Sequence, residues 1–177
     1  TGVTRSYTAT YDDVRRVIDA KTGKRVFGLS MVLARGRTVF VADTTVHELP
    51  TSVEMADIAV QTAEVARRLG HEPRVAMLSF SNFGNPGWDT ANRVREAVSM
   101  MDSRITDFEY DGEMSADVAL NPDLRELYPF SRLSGPANVL IMPALHSANI
   151  SSKLLQELGR GTVIGPILVG LTKAVQI

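Results

Sequence analysis

The densest run of hydrogen-bonding side chains beside glycine is Ser79-Phe80-Ser81-Asn82-Phe83-Gly84-Asn85-Pro86-Gly87. It follows Val75 to Leu78, which reads as a buried strand. It precedes a helical pattern from about Asp89 to Met101. Open α/β sheets bind ligands outside the carboxyl ends of their strands, which is where such a loop falls. Ser79, Ser81 and Asn82 offer donors, Gly84 and Gly87 permit close backbone approach, and a helix amino terminus favours an anion. The same composition also describes a solvated turn shaped only by its glycines and Pro86.

Asp111-Gly112-Glu113 sets two carboxylates across a glycine. They suit general acid–base chemistry or a cation, or they cap the next helix and pair with nearby arginines. Two carboxylates are too few for a dedicated metal cage, which favours the structural role. Asn138 opens a strand (Val139 to Met142) and Asn149 stands where a helix through Leu158 would be capped. Either amide can anchor a ligand amide or phosphate, and capping alone accounts for Asn149. Neither His47 nor His71, each followed by Glu, completes H-E-x-x-H. The run Gly159 to Gly165 has the spacing of neither a Walker A loop nor G-x-G-x-x-G, and there is no G-x-S-x-G elbow. No catalytic residue and no metal ligand is therefore assigned. Trp88 beside the loop could stack on a ligand or a partner subunit, or simply pack. The methionines read as core filler.

The elements that would position these groups alternate along the chain. Thr10 is placed to cap a first helix, with Asp13 in its opening turn and Val14, Val17 and Ile18 on one face. Val26 to Leu33 and Thr38 to Ala42 read as strands joined at Arg35-Gly36-Arg37, an antiparallel hairpin. Thr51 and Glu54 have capping-box spacing for a helix with Val53, Ile58, Val65 and Leu69 inward. Gly70 is placed to end it in a left-handed conformation. Val94, Ala97, Val98 and Met101 form the inner stripe of the helix after the loop. Phe108 to Tyr110 and Val163 to Val169 complete the strand patterns, with a short helix after Gly112. This alternation predicts helices on both faces of a mainly parallel sheet with an antiparallel hairpin at one edge.

Composition narrows the class. The 177 residues are 44% hydrophobic and 22% charged, with net charge −1 and no cysteine. That excludes a disordered chain, a disulfide scaffold, a cysteine-ligated zinc site and a thiol nucleophile. No apolar run approaches the ~18 residues of a membrane span. Near-neutral charge argues against nucleic acid as a partner. Cysteine-free composition fits a reducing, cytoplasmic setting. The chain opens on Thr1-Gly2-Val3 and stops at Val175-Gln176-Ile177 after an apolar run, the expectation for a piece of a longer polypeptide.

Five segments resemble the phosphate acetyl/butyryltransferase family, in family order. They are Val41 to Val46 with Pro50-Thr51, Glu72 to Ser79, Asp111-Gly112-Glu113, Gly135 to Ile141 continuing through Ala148-Asn149-Ile150, and Gly165 to Leu171. The resemblance implies a three-layer α/β/α fold like that of the isocitrate and isopropylmalate dehydrogenases. It implies two domains flanking an active cleft and assembly through dimers, with residues 1–177 as the second domain only. The family's Ser-Arg pair needed for transfer would follow directly after Ile177.

One departure from the family pattern is chemical. Its transferases usually carry a Ser-Thr-Gly-Gly-Ser type loop, where this chain reads Ser81-Asn82-Phe83-Gly84-Asn85-Pro86. Phe83 and Pro86 replace small, donor-rich positions, and proline has no N–H to offer phosphate. The Ser-Asn-Phe-Gly form is similar to the variant fused behind malic enzyme domains in bacterial hybrid NADP-dependent enzymes. That resemblance implies a non-catalytic regulatory module that binds acetyl-CoA and acts through a homo-oligomer. NADP and Mg2+ or Mn2+ would belong to the other half. The ligand-side residues expected, for acetyl-CoA or phosphate, are Ser79, Ser81, Asn82, Gly84, Asn138 and Asn149, with Arg95, which matches an arginine of the family's transferases or is simply a solvated helix charge. The alternatives are an active phosphate acyltransferase, with CoA thiolate attacking an acyl phosphate, and a purely structural dimerisation domain.

Overall fold

A computed structural model describes residues 4–86, 88–104, 106–159 and 161–175. The expectations placed on the two chain ends and on Gly87 lie outside the described residues. The elements run α1 (Tyr7–Val17), β1 (Phe27–Ala34), β2 (Arg37–Ala42), α2 (Ser52–Arg68), β3 (Arg74–Leu78) and α3 (Asp89–Asp102). They continue as β4 (Glu109–Met114), α4 (Ala116–Leu120), α5 (Pro122–Arg125), β5 (Val139–Ile141), α6 (Leu145–Leu158) and β6 (Thr162–Val169).

The strands form one sheet in the order β4-β3-β5-β2-β1-β6. β4, β3, β5 and β2 are mutually parallel, and β1 runs antiparallel to both β2 and β6. The fold is thus the mainly parallel α/β sheet expected, and the hairpin turns at Arg35 and Gly36, both with positive φ (51° and 71°). Two positive-φ residues give a turn whose twist matches that of its strands. The hairpin lies one strand in from the edge, however. The apolar run of β6 pairs along Phe27 to Leu33 and covers backbone groups that β1 would otherwise leave open.

Side-chain alternation divides the core between two faces. Phe40, Ala42, Val75, Met77, Val139 and Ile141 meet α2 and α3 on one side. Val41, Ala76, Leu78 and Leu140 meet α4, the 133–137 segment and Ala148 of α6 on the other. This is the three-layer arrangement expected.

Local corrections have physical causes. α1 starts three residues before Thr10: Ser6 is extended and its hydroxyl accepts from Ala9 N at 3.2 Å. α2 has the expected capping box, but Val53 and Leu69 are exposed. Its inward face is instead Met55, Ala56, Ile58, Ala59, Ala63 and Ala66. Small side chains let the helix lie close over the sheet and against α3, whose Ala91 and Ala97 are also buried. Gly70 has φ 85°, as its position after α2 required. β4 extends past Tyr110 and takes in Asp111-Gly112-Glu113, because parallel pairing with β3 continues to Met114.

α6 begins at Leu145, so Asn149 lies within the helix and is exposed rather than capping it. Leu145 N donates to Glu48 O at 3.0 Å, which satisfies a first-turn donor without a side-chain cap. Of α6 only Ala148 is buried, while Ile150, Leu154, Leu155 and Leu158 are exposed.

Candidate functional site

β3 and β4 end side by side, and the loop after β3 folds back over the end of β4. Ser79 N donates to Met114 O at 2.9 Å, prolonging the pairing by one residue. Beyond it the loop gathers on Glu113, whose side chain is fully buried. Glu113 Oε1 accepts from Ser81 Oγ (2.9 Å), Gly84 N (2.7 Å) and Arg95 Nη1 (2.7 Å). Oε2 is buried with no hydrogen-bond partner. Arg95 reaches Glu113 from the second turn of α3, and its other terminal nitrogen donates to Asn92 Oδ1.

The backbone of this loop is occupied as well. Phe83 N donates to Glu113 O at 2.8 Å, and Asn82 and Asn85 exchange N–H···O bonds of 3.2 Å. With Gly84 N on the carboxylate, four consecutive N–H groups, from Asn82 to Asn85, have partners inside the protein. Pro86 has none to give. Asn82 Oδ1 accepts from Ser115 N (2.7 Å) and Ser115 Oγ (3.1 Å), tying the loop to the start of α4. Phe83 has φ 50°, and its ring lies 5.2 Å from Tyr128 and 4.9 Å from Phe130. Trp88 is exposed and meets Phe80 edge-on at 5.6 Å.

The other acidic residue of the trio is structural. Asp111 Oδ2 accepts from Arg132 N (2.7 Å) and Ser131 Oγ (2.9 Å) and fastens the segment after α5 to the sheet. The arginine-pairing reading of Asp111-Gly112-Glu113 therefore holds. The capping reading does not, since Ser115 is the residue before α4. Among the described residues no three histidine or acidic side chains gather as a metal site.

The expected ligand residues fall into three places. Ser79, Ser81, Asn82, Gly84 and Arg95 share the Glu113 cluster. Asn138 sits at the opposite, amino end of the strands. Its Oδ1 accepts from Arg74 N and its Nδ2 donates to Glu72 O, both at 2.7 Å, so the amide ties the start of β3 to that of β5. Asn149 lines a separate cavity of about 550 Å3 with Tyr7, Tyr11, Thr45 and His146, beside the ends of β2 and β5. Burial raises the Tyr7 and Tyr11 hydroxyls above their ordinary pKa.

Sequence reasoning did not select Asp43, which shapes that cavity's wall. It is buried at the end of β2, and Gly28 N (2.9 Å), Thr45 N (2.7 Å) and His47 N (2.8 Å) donate to it, as does Val46 N. The signal was present, since Asp followed by a polar turn after an apolar strand is an Asx-turn pattern.

Sheet order and flanking helices together define a three-layer α/β module. The family model of the phosphate acetyl/butaryl transferases matches residues 1–177, and the chain belongs to that family. It is 64% identical over 177 residues to an NADP-dependent malic enzyme of Rhizobium meliloti (strain 1021), covering 100% of this chain and 23% of that protein. It is 37% identical over 172 residues to a phosphate acetyltransferase of Bacillus subtilis (strain 168), covering 94% of this chain and 53% of that one. A phosphotransacetylase structure from Streptococcus pyogenes superposes with TM-score 0.90 at 35% identity, over 98% of this chain and 54% of that one. The chain thus corresponds to the phosphotransacetylase-like part of malic enzyme relatives and spans about a quarter of their length. No helix among the described residues is long and apolar enough to cross a membrane.

Proposed function

We propose that this segment is an acetyl-CoA-sensing regulatory and oligomerisation domain of a cytoplasmic NADP-dependent malic enzyme, and is itself catalytically silent. One observation carries the reading: the four loop N–H groups from Asn82 to Asn85 all bond within the protein. A loop that wraps a transferred phosphate needs those donors free. The high identity with a malic enzyme over the whole segment supports the choice of parent. Oxidative decarboxylation of malate would belong to the rest of the polypeptide.

Acetyl-CoA would enter the cavity beside Asn149, whose exposed amide suits the amides of its pantetheine arm. The exposed apolar residues of α6 suit contact with a second copy. Regulation then requires that acetyl-CoA bind one quaternary arrangement better than another. The test is acetyl-CoA titration of the intact polypeptide, with malate oxidation measured with and without it. The expected result is saturable binding, an altered oxidation rate and no acetyl phosphate from acetyl-CoA and phosphate.

Production of acetyl phosphate would favour the second reading, an active acyltransferase, which the Bacillus subtilis relative supports. Self-association without any acetyl-CoA heat signal would favour a purely structural dimerisation domain, which the α6 surface supports.

A further inference from the structure

We infer that the cavity beside Asn149 takes an acyl-CoA by its uncharged acyl-pantetheine end, and that Asp12 and Glu48 at the cavity's rim hold the ligand's phosphates outside. The inference deepens the acetyl-CoA reading above and rests on it for the class of ligand. The volume of about 550 Å3 suits a small-molecule site. Val46, Leu145 and Ile150 supply apolar wall, and the exposed Asn149 amide offers both a donor and an acceptor. A pantetheine arm is a chain of methylenes and amides without charge, so it asks for those two kinds of surface and no others.

The fixed charges on the wall have one sign. Asp12 of α1 and Glu48 of the turn after β2 both line the cavity, and both are exposed. Among the described residues no lysine or arginine lines it, and His146 is the one lining side chain that can become positive. Neither carboxylate has an ion-pair or side-chain hydrogen-bond partner among the described residues, whereas Asp13, next along α1, pairs with Arg5 at 2.7 Å. Asp12 and Glu48 also lie outside the five segments that resemble the phosphate-using transferases. A phosphate entering past them would meet both like charges, an opposition that solvent and salt reduce without removing. A neutral arm meets none. Glu48 fixes the scaffold only through its carbonyl, which accepts from Leu145 N at 3.0 Å, so a change of its side chain leaves the start of α6 in place.

The test is calorimetry on the intact polypeptide with acetyl-CoA, S-acetylpantetheine and adenosine 3′,5′-bisphosphate, in about 0.02 M and about 0.5 M salt. Acetylpantetheine should bind the native protein independently of salt, N149A should weaken it about tenfold, and the bisphosphate should not displace it. Because both rim positions are exposed, D12N/E48Q should keep the fold. It should bind acetyl-CoA about three- to tenfold more tightly than the native protein in dilute salt and equally in concentrated salt, with acetylpantetheine affinity unchanged.

Displacement of acetylpantetheine by the bisphosphate would overturn the inference and leave acetyl-CoA binding standing. So would a D12N/E48Q protein that binds acetyl-CoA no more tightly than the native one in dilute salt. Acetylpantetheine bound while acetyl-CoA gives no heat would remove acetyl-CoA as the effector and support the exclusion of phosphate. Silence of both probes would overturn the two readings together.

Discussion

His47 Nδ1 lies 2.6 Å from Asp43 Oδ2, and the same carboxylate receives the backbone N–H of His47 at 2.8 Å. One buried side chain therefore organises the entire turn that leaves β2. Removing it leaves the N–H groups of Gly28, Thr45, Val46 and His47 without this partner, the first of them fully buried, at about 1–3 kcal/mol for a buried donor and less for those that water can reach. D43A should destabilise the protein by about 3–5 kcal/mol in urea unfolding, and D43N, which keeps one acceptor, by less. An effect of D43A below about 1 kcal/mol would contradict this account.

The start of α2 is pH-sensitive. Hydrogen bonds from the Thr51 backbone, and then from its hydroxyl, hold the Glu54 carboxyl below its ordinary pKa. The Arg132 guanidinium does the same for Asp102. A depressed folded-state pKa means stabilisation that is present above the ordinary carboxylate range, about pH 4, and is lost as pH falls through the folded value. The unfolding midpoint should drop on acidification below about pH 4. T51A should cost about 1 kcal/mol at neutral pH and should reduce the acid dependence only in part, because the backbone N–H of residue 51 and the Arg132–Asp102 pair remain.

Gly112 admits no side chain. Its φ of 148° and the 2.6 Å that would separate an added methyl from Met77 O both oppose alanine. G112A should cost about 2–4 kcal/mol, whereas alanine at Gly23, which meets nothing within 4 Å, should cost about 1 kcal/mol through its positive φ alone. Equal losses in urea unfolding would show that the contact with Met77 does not matter.

The two asparagines should separate cleanly. N138A removes the ties to Arg74 and Glu72 and should cost about 1–3 kcal/mol of stability while leaving acetyl-CoA affinity unchanged. N149A alters an exposed helix position and should be near neutral in stability, but should weaken acetyl-CoA binding about tenfold or more by calorimetry. The reverse pattern would exclude the cavity beside α6 as the binding place.

Much of the architecture is legible in the sequence. Thr51 to Glu54 announces the start of α2, Arg35-Gly36-Arg37 the hairpin, and Val94, Ala97, Val98 and Met101 the buried stripe of α3. These signals are local: caps, turns and periodicity act over a few residues, so the sequence carries them in one place. The five family segments likewise determine the family, because several weak patterns in a fixed order are specific together.

What the loop does is decided only in three dimensions. Ser81, Gly84, Arg95 and Glu113 span more than thirty positions. They meet because β3 and β4 are parallel neighbours and α3 returns the chain between them. Asn138 and Asn149, both able by type to hold a ligand, lie at opposite ends of the sheet for the same reason. Whether a polar side chain faces a ligand or holds the backbone depends on which partners the strand order brings within 3 Å. Residue type cannot convey that order, since strand pairing is a long-range choice made by the whole core.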